Sequence, residues 1–205
     1  PRQIQAGSNK HGLNGDELVT ACKLTRRVDS NAVQDGFNLY QQFFLVTDEG
    51  EWAGISQGMN TRSRRARRYH WHSPTVRSFV DNPHKGIVGR QKKKILNLAD
   101  GRADYARSNI VNLTKEKPDE ILDIYKGVSF PDRHDVRESD VNMKRLGSVL
   151  HMAYENGIDS FEDLLMLKGV GPKTIKSLAL VSEVVHGDSS RFDDPARFSF
   201  AVGGK

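Results

Sequence analysis

Cysteine is almost missing from this chain: Cys22 stands alone among 205 residues. One thiol closes no internal disulfide and builds no thiolate zinc site, which excludes cysteine-rich secreted scaffolds and zinc fingers. A cytoplasmic or nucleoid-associated location is the expectation. Long hydrophobic runs are missing too. The longest uncharged stretch, around Phe43 to Val46, is about half of the roughly 20 apolar residues that cross a bilayer, so no membrane partner is expected. A phosphate-binding GxxxxGK[ST] loop is also lacking, since Gly147, Gly157 and Gly169 to Gly171 do not stand in that frame, and no nucleotide cofactor is expected. There is no initiator methionine and no leader pattern before Pro1, and the end at Gly203-Gly204-Lys205 is abrupt, so a piece of a longer product is expected.

Acid is scarce in one region only. From Asn60 to Lys94 seven arginines and four lysines face one acid, Asp81; that net of +10 leaves −5 for the rest of a chain whose total is +5. A solubilising surface would mix the signs. Concentrated positive charge is the footprint of a polyanion binder, because each phosphate neutralised releases a counterion. Arg62, Arg64, Arg65, Arg67, Arg68, Lys92, Lys93 and Lys94 are therefore candidate phosphate contacts, and Tyr69 and Trp71, interleaved with them, are candidate stacking surfaces for bases. A solvated basic face or a docking site for an acidic protein is the alternative.

With 37% hydrophobic and 28% charged residues, the chain has the composition of one globular domain or two small ones. The expected class is α+β, predominantly helical, with a small β-hairpin or sheet in the first part. Residues 1–15 read as a flexible lead-in, 16–129 as an α+β basic domain, 130–187 as a helical domain and 188–205 as an extended tail, with the boundary at Phe130-Pro131-Asp132. Leu18, Cys22, Thr25 and Val28 recur at helical spacing, with Asn14 or Asp16 as cap. Phe43 to Thr47 and Glu51 to Ser56 read as two strands around Asp48-Glu49-Gly50, the one strong β signal. Ser73-Pro74 opens a further helical turn through Val76, Phe79 and Val80, and helices are expected over Ala103 to Leu113, Pro118 to Tyr125 and Val141 to Tyr154.

The most informative segment runs from Asp159 to Leu180. Ser160 with Asp163 makes a capping box for a short helix; Gly169-Val170-Gly171 supplies a tight loop; Pro172 starts a second helix with Ile175, Leu178, Ala179 and Ser182 on its buried face. This pattern resembles the helix-hairpin-helix family, with Ile175 where many such motifs carry alanine. The resemblance implies that Gly169, Val170 and Gly171 present backbone amides to a DNA phosphate, and that Lys173, Thr174 and Lys176 reach phosphate oxygens without reading sequence. An ordinary helical hairpin, whose glycines only permit the turn, is the alternative.

A wider resemblance rests on Val33-Gln34-Asp35-Gly36, Ser56-Gln57-Gly58-Met59-Asn60, Ala66 to Trp71, Phe161 to Lys173 and Asp194 to Ala201. These segments are similar to domain-of-unknown-function family 763, which implies an intracellular protein and assigns no reaction. Three function classes follow. The first is a non-catalytic or scaffold nucleic-acid binder, with single-stranded, duplex or branched DNA open as the partner, and RNA open too. The second is a metal-dependent nuclease holding Mg²⁺ or Mn²⁺, with Asp35, Glu51, His70 and His72 as candidates. Against it, Gln57 and Gly58 stand where a restriction-enzyme-like strand would carry its lysine, and His70 and His72 are expected on opposite faces of a strand. The third is a glycosylase/lyase, where the resemblance implies Lys173 as Schiff-base nucleophile with Asp193 or Asp194 beyond Arg191 as the acid. DNA binding in repair, recombination or processing is the leading expectation.

Overall fold

The computed structural model describes residues 2–92, 94–127, 143–187, 190 and 192–196. The polar lead-in is not loose: α1 (Arg2–His11) is helical and packs on α2 (Gly15–Arg27). Its buried Ser8 hydroxyl bonds the Ile4 carbonyl at 2.7 Å, so the small residues that read as flexible are instead accommodated within a helix. Asn14 caps α2, its side chain accepting from the Glu17 N–H, with Asp16 and Glu17 in the first turn and Arg26 and Arg27 in the last. The helix then widens into a π-turn over Val28–Ala32, where Asp29 and Asn31 are buried.

Strands follow: β1 (Val33–Gln34), β2 (Asn38–Val46), β3 (Trp52–Asn60), β4 (Arg65–His72), β5 (Gly86–Val88) and β6 (Leu96–Asn97). They form an antiparallel sheet in the order β2-β3-β4-β5 and a two-stranded pair β1-β6. The expected hairpin is present as β2-β3, but the sheet is larger, because the arginine stretch itself is a strand. Helical turn beyond Ser73-Pro74 is limited to the 3-10 turn Ser73–Thr75. Phe79 instead packs its ring on Trp52 and Trp71, at 6.1 Å between centroids in each case.

The expected helices are present as α3 (Asp104–Leu113), α4 (Pro118–Gly127) and α5 (Met143–Asn156). The remaining pair is α6 (Phe161–Met166) and α7 (Pro172–His186). Ser160 caps α6, its hydroxyl accepting from the Asp163 N–H, and Gly187, at φ 77°, ends α7 in the left-handed conformation. The boundary segment Phe130-Pro131-Asp132 lies outside the described residues. One buried apolar cluster draws on both sides of it: Val28, Tyr69, Trp71, Ile87 and Leu98 on one side, Leu150, Leu164, Ile175 and Leu178 on the other. Helix α7 packs on α3 and the π-turn, and α6 packs on α2. The tail is pinned as well, since Phe192 bridges to Leu96 and Asp194 and Ala196 are buried.

Candidate nucleic-acid interface

Strand β4 sorts the arginine cluster by the two-residue period of a pleated backbone. Arg67, Tyr69 and Trp71 point into the molecule with relative exposures of 0%, 0% and 2%. Arg68, His70 and His72 take the opposite, outer face, paired across from Gln57, Ile55 and Ala53. Tyr69 and Trp71 are therefore core residues and offer no ring face to a base, which corrects their assignment as stacking surfaces. Arg67 is likewise withdrawn from phosphate contact. The two histidines share one face, contrary to the expectation of opposite faces, because residues two apart in a strand point the same way.

Arg67 is instead the hub of a buried polar cluster. Its guanidinium donates to Asp35 Oδ2 at 2.9 Å, to both oxygens of Asp194 at 2.9 and 2.7 Å, and to the Arg90 carbonyl at 2.7 Å. Asp35 also accepts from the Tyr69 hydroxyl at 2.5 Å and the Phe37 N–H at 3.0 Å. Lys92 belongs to the same cluster. Its backbone N–H donates to Asp194 at 2.6 Å, its ammonium donates to the Asp35 carbonyl and lies over the Phe37 ring. Burial pushes the Asp35 carboxyl above the usual carboxylate range, against the lowering pull of Arg67. Burial would lower the Arg67 guanidinium, but the hydrogen bond to Asp194 and the two carboxylate charges raise it. A second buried carboxylate, Asp29, is aimed inward by the π-turn; it accepts from the Trp71 indole N–H at 3.1 and 3.2 Å and meets His84 Nε2 at 2.6 Å.

This geometry bears on the nuclease candidates. Asp35 is enclosed at 2% exposure and bonded to Arg67 and Tyr69, so it is not open to a metal ion or a phosphate. Glu51 stands exposed at the β2-β3 turn, while His70 is half-buried on the outer face and His72 exposed there. Burial and the neighbouring Arg68 charge hold the His70 imidazole below its usual range. Among the described residues no three of His, Cys, Asp and Glu gather as a metal-holding group. Of the glycosylase set, Lys173 is exposed, Asp193 pairs with Arg102 at 3.1 Å, Asp194 is committed to Arg67, and Arg191 lies outside the described residues.

Two groups of basic residues named as candidates lie at the surface. Arg62 and Arg64 line the β3-β4 turn, Arg65 starts β4 exposed but on the same side as Arg67, and Arg68 lies on the outer face; among the described residues none of them has an acidic partner. Lys94 is exposed, and Lys93 lies outside the described residues. The other group borders the loop from Leu167 to Gly171. Val170 is buried and Gly169 holds φ 90°, which only glycine adopts at ease. The loop and the first residue of α7 are held by their carbonyls: Arg145 Nε donates to Gly169 O at 3.3 Å, Arg27 Nη1 to Val170 O at 3.0 Å and Gln34 Nε2 to Pro172 O at 2.8 Å. Val170 N–H turns back to Leu167 O. Among the described residues the Gly169 and Gly171 N–H groups meet no acceptor, and no side chain caps α7. Lys168 and Lys173 are exposed beside them; Lys176 is half-buried, and Thr174 is buried, leaving little of its surface for a phosphate.

A family model described as "Protein of unknown function (DUF763)" matches residues 1–205. The chain belongs to the DUF763 family. No curated protein and no solved structure matches it. Arg27, Gln34 and Arg145 of this DUF763 chain were not legible as part of the loop site. They reach it from α2, β1 and α5, and Arg27 and Gln34 lie 143 and 138 residues from the carbonyls they bond, so no local spacing announces them.

Proposed function

We propose that this protein binds DNA through phosphate contacts at the Gly169-Val170-Gly171 loop and the N-terminus of α7, a helix-hairpin-helix mode, in repair, recombination or processing of DNA. The observation that carries the reading is the asymmetry of the loop backbone. Three side chains hold the carbonyls of Gly169, Val170 and Pro172 while, among the described residues, the amides of Gly169 and Gly171 meet no acceptor, next to Arg27, Arg145, Lys168 and Lys173. Uncapped amides at a helix start, backed by cations, suit a phosphate oxygen and read no base. Arg62, Arg64, Arg65 and Arg68 form a second basic surface on the same chain.

Gly171 gives the test. A Cβ built there meets nothing within 4 Å, so Gly171→Val is expected to keep the fold while its branched side chain crowds the neighbouring amides. Duplex affinity, read by fluorescence anisotropy, should fall about tenfold, the equivalent of 1.4 kcal/mol, equally on duplexes of unrelated sequence. Log affinity of the wild type should fall with log salt at a slope of about −5 if about six phosphates are contacted. Unchanged affinity in the variant overturns the loop assignment, and a slope near zero overturns polyanion binding. Parallel incubation in Mg²⁺, Mn²⁺ or EDTA on a denaturing gel separates binding from metal-dependent cleavage.

A further inference from the structure

The outer face of the sheet has no role in the fold's core and none in the loop site. It carries exposed apolar side chains in register: Phe43 (54% exposed) beside Ile55 and His70, Leu45 (62%) beside Ala53 and His72, with Tyr40 (52%) and Met59 (41%) completing the surface. A polar row crosses it. Arg68 Nε donates to Gln57 Oε1 at 3.1 Å, and Gln57 Nε2 donates to the Tyr40 hydroxyl, which fixes the tyrosine and the arginine across three strands. No Asp or Glu occurs within β2, β3 or β4; the β3-β4 turn adds Arg62 and Arg64 at one end, while the β2-β3 turn at the other carries Asp48, Glu49 and Glu51. Phe43 and Leu45 thus stand about 7 Å apart along the strand, the two-residue repeat of a β-strand, with Tyr40 beyond the register shift at Leu39 to Gln41 and, among the described residues, guanidinium groups without acidic partners at one end.

We infer that this face is a platform for single-stranded nucleic acid, on which unpaired bases stack against Tyr40 and Phe43 while Arg68 and the turn arginines Arg62 and Arg64 hold the phosphates. Stacking is indifferent to base identity, because every base has a π-face, and the basic rim supplies the sequence-independent attraction. The basic end points to the occupant: among the described residues Arg62, Arg64 and Arg68 have no acidic partner, and a phosphate backbone brings the complementary charge with it. The inference stands apart from the loop site, which needs no unpaired base. It extends the proposed function by naming strands with exposed bases, such as those of a fork or a processed end, as the substrate class.

The test uses the full chain and labelled oligonucleotides of about 12 residues, oligo-dT and oligo-rU in separate arms, beside a duplex. Phe43→Ala and Tyr40→Ala remove exposed rings, so folding is retained. Each should weaken single-strand binding about five- to hundredfold and leave duplex binding unchanged, while Phe43→Tyr restores it. Comparable loss in both arms marks a base-stacking surface common to DNA and RNA; loss in one arm alone names that polymer. Gly171→Val should do the reverse, lowering duplex affinity and sparing the oligonucleotides. Single-strand affinity that is unchanged in both alanine variants overturns the platform even where the Gly171→Val result holds. A wild-type dimer in sedimentation that Phe43→Asp dissociates also overturns it, assigning the face to a second copy.

Discussion

Arg67 is the position where the structure makes its firmest demand. Replacing it by methionine keeps the approximate length and removes the cation, leaving Asp35 and Asp194 as buried carboxylates facing a neutral side chain. Both are within 2.9 Å of the guanidinium in the wild type and at 1% or less side-chain exposure, so water does not replace the lost partner. Removing one member of such a cluster costs about 3–5 kcal/mol. For a chain of this size about 2–4 °C accompanies each kcal/mol, so thermal unfolding at pH 7 should fall by about 6–20 °C. The pH dependence is the sharper signature. Asp35 already lies above the usual carboxylate range, and without the cation that opposes its burial its native-state pKa rises further; the stability it contributes is then present at low pH and is lost as pH rises through the raised pKa. Arg67→Met should therefore recover much of its deficit between pH 7 and pH 5. Arg67→Lys, which keeps the charge and loses the bidentate fork, should fall between the two. Circular dichroism melts at several pH values decide it: a loss under about 2 °C, or a deficit that is the same at pH 5 and pH 7, would refute the cluster as the support of this region.

Gly58 lies on the inner face of β3, where a Cβ would stand 2.9 Å from Phe37 Cβ; Gly58→Ala should cost about 1–3 kcal/mol in urea denaturation, and an unchanged midpoint would show that Phe37 yields freely. For His70, burial and Arg68 depress the imidazole pKa, so the unfolded chain takes up the proton first and stability is lost as pH falls below about 6.5. His70→Gln should match the wild type at pH 8 and exceed it in melting temperature at pH 5; a gap of the same size at both pH values would point to packing instead.

Much of the fold could be read from local pattern. Helices α2 to α7 announced themselves through caps and periodicity, with Asn14, Pro118, Ser160 and Pro172 marking starts that the structure places within a residue or two. What local pattern hid were the places where tertiary contacts overrode composition. Polar residues 1–15 with Gly7, Gly12 and Gly15 read as a loose lead-in, yet packing against α2 makes α1 a helix. Strand β4 was hidden for a different reason. A run of four arginines in 64–68 has none of the apolar alternation by which a half-buried strand is recognised, because its first inward residue is itself an arginine.

That inward arginine explains why charge counting overreached at the level of individual residues while remaining useful for the region. The net +10 of 60–94 treats every cation as surface, but the strand's period of two assigns alternate residues to opposite faces. Arg67 and Lys92 are matched by Asp35 and Asp194, two acids from outside the segment, so that part of the field is neutralised inside the protein. Asp194 lies 127 residues from Arg67, a separation no motif spacing encodes. The same folding step that withdraws Arg67, Tyr69 and Trp71 from any ligand turns Arg68 outward, beside Tyr40 and Phe43, which the charge pattern had not singled out. Burying aromatic residues with the structural arginine therefore need not remove stacking chemistry from this sheet. On the proposed reading that chemistry lies on the opposite face and a neighbouring strand, where Tyr40 and Phe43 are exposed and, among the described residues, Arg68 has no acidic partner.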